Sequence, residues 1–125
     1  MQRIATGKAP YAAIALHSQA VVFNNVVYTS GQLGIDPATG KLLEGTIQHR
    51  VRQALKNVQA VLEAAGSSMK KVLRVTIWVT NAADIPLMNE EYIKHFQDPK
   101  PVRACVVVKE LALGTDIELE ATAWI

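Results

Sequence analysis

The sequence predicts an α+β domain in which two helices cover one face of a mixed β-sheet. Residues 46–65 place apolar side chains at helical spacing, and residues 73–80 alternate apolar and polar side chains as a strand does. The predicted elements run in the order hairpin, helix, strand, helix, strand, strand, which fits helices layered on a sheet. The chain has 125 residues, of which 50% are hydrophobic and 19% charged, and we therefore expect one domain over residues 1–125.

The first predicted elements are a β-hairpin and a turn. Residues 20–23 and 26–29 are mostly apolar, and Asn24 and Asn25 between them tolerate the positive φ of a two-residue hairpin turn. Residues 36–40 then combine Asp, Pro and Gly in an order typical of a turn.

Both helices have recognisable boundaries. Thr46 is predicted to cap the first helix, and Gly66 to end it in the left-handed conformation. Asp84 is predicted to cap the second helix. One face of that helix carries apolar residues at offsets of three, seven and eleven: Ile85, Met88, Tyr92 and Phe96.

Two further strands are predicted at residues 103–109 and 117–124. Because two helices cover only one face of the sheet, the other face needs another partner. We expect Trp78, Val107 and Trp124 on that open face, where they are too apolar for full exposure and favour burial between subunits.

Charge and motifs exclude several classes of protein. The net charge is +2 without a long basic segment, and no apolar run is long enough to span a bilayer. The short apolar segment 9–16 resembles a signal peptide, although its removal would delete a candidate site residue. No nucleotide-binding or zinc motif is present, and we expect no metal site.

The last two predicted strands carry the most informative polar residues. Arg103 and Cys105 share one strand face, as do Glu118 and Glu120. If the two strands pair antiparallel, all four side chains lie on one face. A guanidinium can bind a substrate carboxylate while a glutamate activates water, although an ordinary cross-strand ion pair explains the pattern equally well.

Four segments of the chain resemble the RidA (YjgF-type) family. The resemblance covers nearly the whole chain in order and rests on residues 25–32, 61–68, 100–108 and 117–121, which read NVVYTSGQ, VLEAAGSS, KPVRACVVV and IELEA. It implies a single RidA-like domain, a chorismate-mutase-like α+β subunit, and a homotrimer with clefts between its subunits.

The resemblance also implies an activity. Deaminases of the family hydrolyse C=N bonds in reactive 2-imino acids of the 2-iminobutanoate and 2-iminopropanoate type, or in their enamine tautomers, releasing 2-keto acids and ammonia without a cofactor. The matching catalytic positions are Arg103, which also binds substrate, Cys105 and Glu118. The matching substrate-binding positions are Ser30, Gly31 and Asn89.

The chain departs from the family pattern at one pocket position. His17 stands where the family commonly has a tyrosine, and we expect it to line the substrate pocket. Val107 and Ala112 also replace a frequent Glu and a frequent Pro. One interpretation is that the histidine still donates a hydrogen bond in the pocket. The alternative is that the substitution alters or abolishes the activity.

Two other functions stay open. In the first alternative, the chain is an RNA-directed member of the endoribonuclease or translation-inhibitor type. In the second, it is a non-catalytic trimer that binds small carboxylates. We expect a small 2-imino or 2-keto acid as ligand, a second and third copy of the chain as partners, and neither membrane nor nucleic acid. The expected compartment is the cytoplasm, with mitochondria as the alternative.

Overall fold

The computed structural model describes residues 1–11 and 16–125; residues 12–15, inside the apolar segment 9–16, lie outside the described residues. The helices are α1 (Ile47–Ala64) and α2 (Ile85–Tyr92). The strands are β1 (Gln2–Ile4), β2 (Ala20–Phe23), β3 (Val26–Thr29), β4 (Ile35–Asp36), β5 (Lys41–Leu42), β6 (Val72–Val79), β7 (Val102–Val107) and β8 (Ile117–Trp124).

The main sheet has the strand order β1-β2-β3-β8-β6-β7, and β4 and β5 form a separate hairpin. Strands β6 and β7 are parallel, and the other neighbouring pairs are antiparallel. The predicted pairing of β7 with β8 is wrong, because β6 lies between them. The connection from β6 through α2 to β7 is long enough for a parallel crossover, and this places β7 at the edge of the sheet.

The hydrophobic core lies between the helices and one face of the sheet. Val58 and Leu62 of α1 are fully buried, as are Ile77 of β6 and Leu119 of β8. Alternate residues of β6 and β8 supply this face, as expected for strands with one covered side. The α+β prediction with two helices on one face is therefore confirmed.

The opposite face of the sheet is open and apolar. Trp78 and Trp124 lie on it as predicted, since their neighbours Ile77 and Ala123 point into the core. Val107 does not, because it pairs with the buried Val79 and so shares the helix side of the sheet. Exposed apolar side chains on the open face are Phe23, Tyr28, Val102, Val106 and Trp124.

Most local boundaries follow the predicted capping and turn residues. Asp84 lies at the N-cap position of α2 as predicted, but its side chain makes no capping hydrogen bond within the described residues. Asn24 and Asn25 have φ values of 49° and 60°, and Thr46 Oγ1 accepts a hydrogen bond from the His49 N–H at 3.3 Å. Helix α2 ends at Tyr92, so Phe96 lies beyond it in extended backbone. Neither α1 nor α2 has both the length and the apolar character of a membrane-spanning helix.

Candidate active site

Arg103 lies in a cavity of about 420 Å³ between α2 and the start of β7. The residues around this cavity, which we name the arginine half-site, are Asn89, Tyr92, Ile93, Lys100, Pro101 and Arg103. Within residues 1–11 and 16–125, Arg103 forms no ion pair with a carboxylate. Its guanidinium is therefore available to a ligand that carries a negative charge.

Cys105 lies two residues beyond Arg103 on the same side of β7. Its side chain is partly buried against the hydrophobic core. Burial raises the pKa of the Cys105 thiol, and the nearby Arg103 charge opposes that rise only in part. Because the thiolate is the reactive form of cysteine, this environment favours a neutral thiol over a nucleophile.

A second cavity, of about 200 Å³, brings together four of the predicted site residues. We name it the glutamate half-site after its members His17, Ser30, Gly31 and Glu118. The loop that leaves β3 supplies Ser30 and Gly31, and β8 supplies Glu118. Sequence positions far apart in the chain thus converge where β3 and β8 run side by side.

The Glu118 carboxyl of this cavity is partly buried and lies near a second carboxylate. Its burial, and then the neighbouring negative charge of Glu120, raise the pKa of the Glu118 carboxyl. Gly31 makes room for this carboxyl, because a Cβ built on Gly31 would overlap Glu118 Oε1 and lie 3.0 Å from Cδ. A raised pKa suits a carboxyl that both accepts and returns a proton.

Gln19 organises the chain beside the glutamate half-site, a role that the sequence analysis did not identify. Its side-chain Oε1 accepts a hydrogen bond from the Thr6 N–H at 2.7 Å, and its Nε2 donates to the Thr6 and Pro10 carbonyls at 3.0 and 2.8 Å. The Gln19 carbonyl also accepts from the Ser30 N–H at 2.8 Å. This buried amide therefore fixes the N-terminal segment against the loop after β3.

The two half-sites lie apart in one chain. Arg103 and Cys105 pair with the buried Val75 and Ile77, which places them on the helix side of the sheet. Glu118 instead pairs with Trp78 on the open side, two strand spacings away, or about 9–10 Å. The prediction that these side chains share one face is wrong, because it assumed that β7 and β8 are neighbours.

The fold and the two cavities define a small α+β protein that offers separate cationic and acidic surfaces to a ligand. The family described as Endoribonuclease L-PSP matches residues 6–125. The chain therefore belongs to this family, which is the RidA family.

Curated relatives and solved structures agree with this assignment. A 2-iminobutanoate/2-iminopropanoate deaminase from Rattus norvegicus is 42% identical over 120 residues, 96% of this chain and 87% of the relative. A RutC family protein from Aquifex aeolicus is 43% identical over 125 residues, 98% of each chain. RidA from the Antarctic bacterium Psychrobacter sp. matches with a TM-score of 0.94 and 40% identity over 100% of both chains. E. coli TdcF with bound serine matches with a TM-score of 0.91 and 34% identity over 100% of this chain and 99% of that one.

Proposed function

We propose that this protein hydrolyses reactive 2-imino acids to 2-keto acids and ammonia. The observation that carries the proposal is Arg103, a guanidinium free of carboxylate partners in the described part of the chain, at the wall of a cavity. Relatives at 40–42% identity that are named 2-iminobutanoate/2-iminopropanoate deaminases support the reaction. The serine bound to TdcF supports a small amino-acid-like ligand.

Arg103 would bind the substrate carboxylate through two parallel hydrogen bonds, the geometry for which a guanidinium is suited. Asn89 and Cys105 would lie beside the bound acid. A protonated imine carbon is already electrophilic, so the protein mainly has to hold the substrate and one water in place.

Glu118 would act on that water. As the water oxygen bonds to the imine carbon, the Glu118 carboxylate accepts one water proton, and the C=N double bond becomes a single bond. The carboxyl then returns the proton to nitrogen, and the C–N bond breaks as the Glu118 carboxylate accepts the hydroxyl proton and the C=O bond forms. This second proton passes to the departing ammonia, which leaves as ammonium, and Glu118 is again a carboxylate. One water is consumed, no electron is transferred, and Glu118 ends in its starting state.

The reaction requires both half-sites, and we expect them to meet between subunits of a homotrimer. Arg103 and Glu118 lie on opposite faces of one sheet, so a single chain cannot direct both at one small acid. The apolar open face, which includes Phe23, Tyr28 and Trp124, supports its burial against another copy.

A coupled assay tests the activity. A pyridoxal-phosphate enzyme generates 2-iminobutanoate, and keto-acid release is followed with and without this protein. We expect acceleration by the parent chain, a decrease of about tenfold or more for Arg103→Ala, and incomplete rescue by Arg103→Lys. Lys41→Ala removes an exposed charge from β5 and serves as the matched control. No acceleration by the parent chain would refute the proposed function.

Subunit mixing tests the shared site. Arg103→Ala and Glu118→Gln chains should each be weakly active, whereas co-refolded mixtures should regain activity in about one quarter of their sites by random assortment. If mixtures stay as inactive as their components, the two half-sites do not combine between chains.

The family description favours one other candidate, an endoribonuclease. The net charge of +2 gives little attraction for a polyanion. Incubation with single-stranded RNA should therefore leave the RNA intact under conditions in which imine hydrolysis is accelerated. RNA cleavage that Arg103→Ala or Glu118→Gln abolishes would favour the nuclease.

A further inference from the structure

The Arg103 guanidinium lies over an aromatic ring of α2. Its carbon Cζ lies 4.8 Å from the centroid of the Tyr92 ring. This distance is within the range in which an arginine is attracted to the face of an aromatic ring. Since β7 is an edge strand and Arg103 is exposed, the Tyr92 ring is a surface against which the Arg103 side chain can pack.

The Tyr92 ring is itself held in place. Tyr92 is only 5% exposed, and its ring centroid lies 4.8 Å from that of Phe96, with the planes tilted by 38°. The preceding residue, Glu91, is also buried and forms an ion pair with Arg52 of α1. Helix α2 is therefore fastened to α1 at the position where it presents the ring to Arg103.

The Tyr92 hydroxyl is buried and has no hydrogen-bond partner within residues 1–11 and 16–125. The same is true of Asn89 Oδ1, and both residues line the cavity that contains Arg103. A buried polar atom without a partner is unusual in a folded protein and favours a bound group that completes its hydrogen bonding. Burial also raises the pKa of Tyr92, against the opposing effect of Arg103, so the hydroxyl keeps its proton.

We propose that Tyr92 orients the Arg103 guanidinium through its ring and donates a hydrogen bond from its hydroxyl to the carboxylate that Arg103 binds. Tyr92 is thus both a positioning residue and a ligand contact. The nature of the ligand, a small 2-imino or 2-keto acid, rests on the proposed function. The arrangement explains why an aromatic residue with a buried hydroxyl lies beside an arginine that forms no ion pair in the part of the chain that the structure describes.

Binding of 2-oxobutanoate to the full chain, measured by calorimetry, tests the proposal. Tyr92→Phe keeps the ring and should weaken binding about three- to tenfold. Tyr92→Leu removes ring and hydroxyl together and should weaken binding about ten- to a hundredfold. In an Arg103→Ala background, Tyr92→Leu should weaken binding only about three- to tenfold, because the hydroxyl contact is still lost but the ring no longer has a guanidinium to orient.

Controls separate this role from a purely structural one. Met88→Val changes a fully buried residue one turn earlier on α2, and it should lower the unfolding midpoint while leaving affinity within about twofold. If Tyr92→Leu lowers only the unfolding midpoint, if its effect on affinity is the same with and without Arg103, or if the parent chain binds no 2-oxobutanoate, the inference is wrong. The binding experiment involves no imine, so an absence of deaminase activity would refute the proposed function and leave the Tyr92–Arg103 coupling measurable.

Discussion

Replacing Asn57 by alanine should destabilise the protein more than the few atoms removed suggest. Asn57 lies on α1 with 0% exposure. Its side-chain Nδ2 donates hydrogen bonds to the Leu33 carbonyl at 3.1 Å and to the Ile35 carbonyl at 2.9 Å, and its Oδ1 accepts one from Gln53 at 2.9 Å. The side chain thus attaches the segment that follows the glutamate half-site to the longest helix.

The size of the effect follows from these bonds. Asn57→Ala leaves two carbonyls without a donor in a poorly hydrated place, at roughly 1–2 kcal/mol each, so the free energy of unfolding should fall by about 2–4 kcal/mol. For a chain of 125 residues, 1 kcal/mol corresponds to about 4 °C in Tm. The expected decrease in Tm is therefore about 8–16 °C.

Urea unfolding followed by circular dichroism measures this change. Gln59→Ala is the matched control, because Gln59 lies on the exposed side of the same helix and its side chain donates a hydrogen bond to the exposed Glu63. The free energy of unfolding should change by less than about 0.5 kcal/mol. Gln53→Ala removes only the hydrogen bond to Asn57 Oδ1, so its decrease in the free energy of unfolding should lie between those of Gln59→Ala and Asn57→Ala. An Asn57→Ala protein as stable as the parent would show that the two carbonyls find other donors and that this reasoning is wrong.

Three further changes test the site and its supports. Gln19→Ala should release residues 6–10, and trypsin should then cleave after Lys8 faster than in the parent chain; equal cleavage rates would contradict the anchoring role. Glu91 is buried and its own desolvation opposes ionisation, yet the hydrogen bond and charges of its basic neighbours hold its pKa below the ordinary value of 4.5. Its ionised form therefore stabilises the fold above about pH 4.5 and loses that contribution as the pH falls further, so the Glu91→Gln protein should show a weaker dependence of Tm on pH in acid than the parent does. Gly31→Ala should displace the Glu118 carboxyl and lower imine hydrolysis about tenfold or more with little change in Tm, and full activity would show that this carboxyl tolerates movement.

Local features of the fold could be predicted because their causes are local. Thr46 bonds to the first turn of α1, and Gly66 adopts a φ of 83° after its end. The Asn24-Asn25 turn likewise depends only on which residues tolerate positive φ. The order of the strands has no such local cause. The alternation of apolar and polar residues in β7 and β8 fits a β7–β8 hairpin as well as it fits the observed β6–α2–β7 crossover.

The candidate site was predicted in part for the same reason. The resemblance supplied Arg103 and Glu118 individually, but their separation depends on which strand lies between them. Tyr92 was read from its spacing as an ordinary core residue of α2, since periodicity does not show that its ring lies under a guanidinium. The Gln19 and Asn57 side chains donate hydrogen bonds to backbone carbonyls, and the pattern of side chains in a sequence does not predict such partners.

The placement of the two half-sites on opposite faces of the sheet has a consequence for dilute protein. The arginine half-site is formed by residues of one chain, so a single chain should still bind a small carboxylate. Turnover, in the proposed arrangement, requires the Glu118 carboxyl of another copy. Specific activity should therefore fall on dilution while the capacity to bind 2-oxobutanoate persists, and the same chain would act as a carrier when scarce and as a catalyst when abundant.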